Sequence, residues 1–186
     1  MKVFIQSIVA QLLLNPYIFW RGYQAIPAKK SWRIPYTLFF ILELAIYFFG
    51  FFFRKELPDH IMTTIQYICN TWYIASVYIT LSLLTLEVLR LSDRFFHWFP
   101  QWLTHWKQTK LTLFFVIIAG VSCLMVKAYL TVAYPIVKDV YVTLPKGSSE
   151  RDSLTVVMMS DLHIGEVIGK KLVQSYVALS NAQHPD

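Results

Sequence analysis

Charge is scarce in this chain. Asp, Glu, Lys and Arg together make up 15% of its 186 residues, against about 25% in an ordinary soluble domain, and that shortfall excludes a plain soluble globular protein. Acidic residues are the scarcer sign, 11 against 17 Lys and Arg, for a formal net charge of +6. Cysteine is nearly absent: Cys69 and Cys123 alone make neither a disulfide framework nor a zinc site. What the chain has in excess is apolar surface, with 56% hydrophobic and 17% aromatic residues and a mean hydropathy of +0.47.

The charge is also unevenly spread. Beyond Ile136 five basic residues (Lys138, Lys146, Arg151, Lys170, Lys171) face six acidic ones (Asp139, Glu150, Asp152, Asp161, Glu166, Asp186), which leaves a net +7 on the first 136 residues. Positive charge inside an apolar region reads as loops held at a membrane surface. No Lys/Arg stripe resembles a phosphate-tracking surface, so the expected partner is the lipid bilayer and no nucleic acid.

A hydrocarbon core of about 30 Å needs roughly 20 apolar residues in a helix. Four runs qualify: Val3 to Trp20, Ile34 to Phe53, Ile61 to Val88 and Leu111 to about Leu130. The first is interrupted by Gln6, Gln11, Asn15 and Pro16, and could be a cleaved leader; bulky Tyr17, Ile18, Phe19 and Trp20 occupy the place where small residues would be cut, which favours a retained span. Loop one (Arg21 to Arg33) and loop three (Leu89 to Lys110) carry four Lys/Arg each, whereas loop two carries only Arg54 and Lys55. The positive-inside rule then puts loops one and three in the cytoplasm and both termini outside. Loop three also holds Phe95, Phe96, Trp98, Phe99, Trp102 and Trp106, a mixture that reads as an interfacial segment in the headgroup region.

Charges within the runs are functional suspects, because a charge at the bilayer centre costs about 2.5 to 3.5 kcal/mol on insertion scales. Glu87 has Arg90 at i+3 as an expected helix-end partner, and Lys127 lies close enough to its helix end to snorkel. Glu43 sits deep in the second run. It reads either as a protonated acid bonded to Thr or Asn side chains of the third run, or as part of a transport path. The third run is rich in such groups, among them Thr63, Thr64, Gln66, Asn70, Thr71, Ser76, Thr80 and Ser82, and they predict that it packs inside the bundle with hydroxyls and amides bonded between helices. Cys69 and Cys123 read as buried free thiols.

After Ile136 the pattern changes. Val137 to Leu144 alternates and predicts a strand, Lys146 to Asp152 a turn, Leu154 to Met159 a buried strand, and about Gly169 to Ala182 an amphipathic helix with Leu172, Val173, Tyr176, Val177 and Leu179 on its apolar face. Asp161 and His163 follow the second strand two positions apart, so a carboxylate and an imidazole would project the same way at a sheet edge. An oxygen and a nitrogen donor together suit Zn, Mn or Fe.

The apolar strand, then Ser160-Asp161-Leu162-His163-Ile164-Gly165, then a helix ending near His184-Pro185-Asp186, resembles the opening of the calcineurin-like metallophosphoesterases, whose membrane-anchored branch puts transmembrane helices before the catalytic domain. The resemblance covers about the last 50 residues. It implies that Asp161 and His163 are ligands of one divalent metal ion in a two-metal centre, that residues 137–186 begin an α/β phosphoesterase domain, and that the complete protein hydrolyses a phosphoester. The family's later motifs, Gly-Asp-x-x-Asp, Gly-Asn-His-Asp/Glu and Gly-His-x-His, do not occur in the 186 residues. Two side chains cannot hold a metal pair about 3.5 to 4 Å apart, so the chain alone is expected to be an inactive fragment.

The expected architecture is therefore a membrane region of about four helices over residues 1–136, followed by the first β-strands and helix of an α/β domain over 137–186, with that domain on the outer side of the cell membrane. The rival expectation, from another class, is a small polytopic membrane protein acting as a transporter accessory or scaffold, in which Asp-Leu-His is fortuitous.

Overall fold

The computed structural model describes residues 2–97, 99–100, 107–143, 153–160, 162 and 169–186, with side chains described from residue 11 in the first helix and from 109 in the fourth. Among the described residues five helices follow one another: α1 (Lys2–Ala25), α2 (Lys30–Phe52), α3 (Asp59–Phe96), α4 (Lys107–Ala133) and α5 (Lys170–Asn181). The chain divides into two compact units, Met1–Lys127 and Ala128–Asp186.

In the first unit, Lys30–Phe52 and Asp59–Phe96 are long and apolar enough to cross a membrane, as is Thr109–Ala133, whose residues from Ala128 on belong to the second unit. With 24 residues rising about 1.5 Å each, α1 has the length of a span as well. Burial in this unit is inverted. Gln11 (1% exposed), Asn15 (7%), Glu43 (5%) and Ser76 (0%) are inside, while Leu13 (68%) and Phe52 (70%) face outward. In water that arrangement would expose the apolar surface that drives folding. In lipid it is the stable one, since the hydrocarbon solvates leucine and phenylalanine and cannot hydrogen-bond an amide. A small apolar core of Ile18, Ile79 and Val121, flanked by Leu14, Phe40, Ala75 and Ile117, joins α1, α3 and α4.

Two glycines permit close approach between helices. A Cβ on Gly22 of α1 would overlap the Tyr36 hydroxyl, reach 2.7 Å from Tyr36 Cζ and 3.0 Å from Phe114. The Tyr36 hydroxyl uses the space to donate to the carbonyls of Ile18 (3.1 Å) and Phe19 (3.3 Å). On α2, a Cβ at Gly50 would come within 2.5 Å of Ile65 Cγ2, so the end of α2 can lie against the start of α3.

The connection from α1 to α2 is short. Ile26 is buried and its N–H bonds the Gly22 carbonyl at 3.0 Å. The segment Leu89 to Phe96, expected as loop, continues α3, because nothing in it breaks a helix and the stop signal comes later. His97 adopts the left-handed conformation (φ 53°), its N–H returns to the Asp93 carbonyl at 2.8 Å, and the Asp93 carboxylate accepts the Phe99 N–H at 2.6 Å. Trp98, Trp102 and Trp106, assigned with them to an interfacial segment, lie outside the described residues.

The second unit corrects the expected α/β start. Helix α5 forms where the periodicity predicts it, with Leu172, Val173, Tyr176 and Leu179 half-buried and Val177 exposed. Among the described residues, however, there is no strand: 137–143 and 153–160 belong to no ladder. Alternation fixes which way side chains point, but a strand exists only where backbone groups meet a partner strand. Residues 153–160 offer one such exchange, in which the Asp186 N–H bonds the Thr155 carbonyl at 3.1 Å and the Thr155 N–H bonds the Asp186 carboxylate at 2.8 Å. One reciprocal pair does not make a sheet, and the described structure is all helical.

Overpacking at the two glycines should be costly. Gly22→Ala and Gly50→Ala are each expected to destabilise the bundle by about 1–3 kcal/mol in reversible unfolding from mixed micelles. Tyr36→Phe, which removes the overlapping hydroxyl, should recover part of the Gly22→Ala loss and none of the Gly50→Ala loss.

Candidate functional site

The two residues singled out as metal ligands, Asp161 and His163, lie outside the described residues; Leu162 between them is half-buried. Among the described residues no group of three or more His, Cys, Asp or Glu could hold a metal ion. The polar site that the structure does build lies in the helical bundle.

At its centre is the Asn15 side chain of α1. The indole Nε1 of Trp72 on α3 donates to Asn15 Oδ1 at 2.9 Å. Asn15 Nδ2 then donates to Gln11 Oε1 at 2.7 Å and to Glu43 Oε2 of α2 at 2.8 Å. An indole can only donate, so it determines which end of the Asn15 amide faces it. The NH2 end must turn to the other side, where it can meet only acceptors; that orients Gln11 with its oxygen inward and leaves a carboxyl oxygen as the partner from α2. One donor-only group on α3 thus sets the polarity of three side chains on α1 and α2.

Aromatic packing holds the indole in place. Phe39 and Phe40 of α2 meet Trp72 edge-on, with centroids 4.9 and 5.7 Å away. Phe40 continues the contact to Tyr36 (5.1 Å) and Phe19 (5.4 Å). Gln11 Nε2 and Glu43 Oε1 are buried and have no hydrogen-bond partner among the described residues. Glu43 therefore has the Asn partner expected of it, but from α1 and not from the third run. Spacing along the sequence cannot reveal which helix brings an amide to its level.

Other expected polar contacts are rearranged in the same way. Glu87 pairs with Arg21 of α1 and not with Arg90. The hydroxyls of α3 mostly return to their own helix: Thr63, Thr64, Ser82 and Thr85 donate to the carbonyls four residues back at 2.8–2.9 Å, and Ser76 to Tyr73 at 2.7 Å. They satisfy themselves locally and need no neighbouring helix. Asn70 and Thr71 are exposed, against the expectation that they face inward. Both cysteines are free, Cys69 buried and Cys123 exposed.

The chain is 25% identical over 151 residues to a Caenorhabditis elegans protein named "Putative metallophosphoesterase"; the match covers 79% of this chain and 30% of that protein. The chain thus spans less than a third of the relative's length. Residues beyond Ile136 are fewer than a third of this chain, so most of the matched stretch lies in the helical membrane region and not in the tail. No family model matches the chain, and no solved structure matches it.

The amide centre should be energetically coupled. Asn15→Ala leaves the Trp72 and Glu43 groups without their partner and is expected to cost about 1–3 kcal/mol. In a double-mutant cycle with Trp72→Phe the coupling should be roughly 0.6 and at most about 1.7 kcal/mol, the range of hydrogen bonds inside membrane proteins. Unfolding titrations of the four proteins in mixed micelles measure it; additive losses would contradict the network.

Proposed function

We propose that this chain acts as a multi-pass membrane scaffold, with α1 to α4 spanning the bilayer and its work done through helix contacts and the segments they carry. The observation that carries the reading is the inverted burial of the first unit, with Gln11, Asn15, Glu43 and Ser76 inside and leucine and phenylalanine outside. The proposed orientation has the α1–α2 and α3–α4 connections in the cytoplasm and both termini outside. It is supported by the Lys/Arg bias and by the Arg21–Glu87 pair, which brings the C-terminal ends of α1 and α3 to the same end of the bundle.

A second reading has a specific observation in its favour. The resemblance of Ser160 to Gly165 to a first metallophosphoesterase motif agrees with the name of the matched relative. On this reading residues 1–136 anchor a metal-dependent hydrolase, and residues 137–186 carry its first metal-binding motif. Asp161 would supply a carboxylate and His163 an imidazole to a divalent ion, Mn, Fe or Zn. In such enzymes an ion of this kind activates a water for attack on a phosphoester. The described geometry speaks most directly for the scaffold through the polar groups buried between the helices of the first unit.

Two measurements test these readings. In a Cys69→Ser/Cys123→Ser background, a membrane-impermeant thiol reagent applied to intact cells should label Pro58→Cys and spare Lys29→Cys; the opposite pattern would invert the topology. The purified 186-residue chain is expected to release no p-nitrophenol from a phosphodiester in the presence of manganese. In a longer protein carrying the remaining family motifs, Asp161→Asn and His163→Ala should each reduce hydrolysis and metal content. Full activity and metal content of that protein after both substitutions would remove Asp161 and His163 as metal ligands.

A further inference from the structure

The amide of Asn70 is in the wrong place for an isolated bundle. It lies on α3 two residues before Trp72, hence about 3 Å along the axis from the residue whose indole reaches Asn15, the partner of Glu43. Glu43 is roughly 20 Å from the start of α2 and 14 Å from its end, so this level is well inside a hydrocarbon core of about 30 Å. Yet Asn70 is exposed. The hydroxyls of Thr63, Thr64, Ser82 and Thr85 are returned to their own helix; the Asn70 amide has no such bond among the described residues. An amide facing lipid has two N–H donors and a carbonyl acceptor with nothing to meet.

Asn70 lies on a continuous outward face. Ile74, Tyr78 and Leu81 follow it at spacings of four, four and three residues, within one side of the helix, and all three are exposed. Side chains of this size at this spacing are suited to interlocking with a second helix. The requirement at Asn70 is for a partner that both donates and accepts hydrogen bonds at the same depth. Another Asn70 meets it, because an amide is complementary to itself under a two-fold axis and lies at the same depth in every copy.

We infer that α3 mediates self-association: two copies of this chain pair along the Asn70–Ile74–Tyr78–Leu81 face, with the two Asn70 amides hydrogen-bonded to each other in the membrane interior. The inference rests on the membrane reading above and adds the partner. A neighbouring segment of a different membrane protein would offer a chemically similar contact; the self-complementarity of a single amide favours a second copy.

The test uses the full chain, labelled in two colours and co-reconstituted in phosphatidylcholine vesicles across a range of protein-to-lipid ratios, with energy transfer as the readout. Wild type should show transfer above the level of random co-localisation. Asn70→Leu, an apolar substitution at an exposed position, should weaken association by at least roughly 5-fold. Asn70→Gln, which keeps the amide, should retain most of it. In the cysteine-free background Ile74→Cys should form oxidative dimers, and Val126→Cys, exposed on α4, should not. A monomeric wild type with normal helicity would overturn the inference and assign the face to a different partner, leaving the scaffold reading intact. Undiminished transfer in Asn70→Leu would overturn it as well. Failure of wild type to enter vesicles at all would instead count against the membrane reading.

Discussion

A bilayer offers no hydrogen bonds, and that constraint organises the helical bundle. Gln11, Asn15, Glu43 and Trp72 meet one another inside the protein, and most hydroxyls of α3 bond to their own backbone. Trp72 is the group on which the solution turns. Its indole can only donate, it is fixed by the edges of Phe39 and Phe40, and it points at Asn15. From there the polarity of the contact follows step by step through Asn15 to Gln11 and Glu43. Three helices are brought into register by a contact that apolar packing in lipid could not specify, since leucine against leucine differs little from leucine against an acyl chain.

Around that centre the remaining contacts divide by depth. Close to it, the aromatic rings of α1 and α2 fill the space between helices, and farther along α1 Gly22 clears the path by which Tyr36 reaches the backbone of that helix. Toward one end, where water and headgroups return, charge can be used openly: Arg21 pairs with Glu87, and Arg33 lies 4.3 Å over the ring of Tyr23. Amides in the middle and ions near the end match the cost of each group at its depth. The hydroxyls of Thr63, Thr64, Ser82 and Thr85 on α3 are compatible with the same solvent because each reaches the carbonyl one turn back.

The tail follows a different physical logic. Its two extended segments have the alternation or apolarity of strands, but a ladder requires partner backbone, and the described residues supply only the exchange between Thr155 and Asp186. The similarity to a protein named as a metallophosphoesterase extends well into the helical region.

Much of the membrane architecture could be read from the residues alone. A run such as Ile34 to Phe53 can satisfy its backbone in hydrocarbon only as a helix, so existence and approximate length follow from composition. Helix α5 was legible for a related reason, since a 3.6-residue period is a local property. The end of α3 was not, because the stop depends on the His97 turn and the Asp93 cap. Partners were the least legible of all: Glu43 with Asn15, Glu87 with Arg21, and the outward turn of Asn70 depend on rotation about each helix axis and on which helices become neighbours. Local spacing carries no such information, and tertiary packing decides it by matching donors, acceptors and shapes across helices that are distant in sequence. The strands failed for the same reason, since alternation is local and pairing is not.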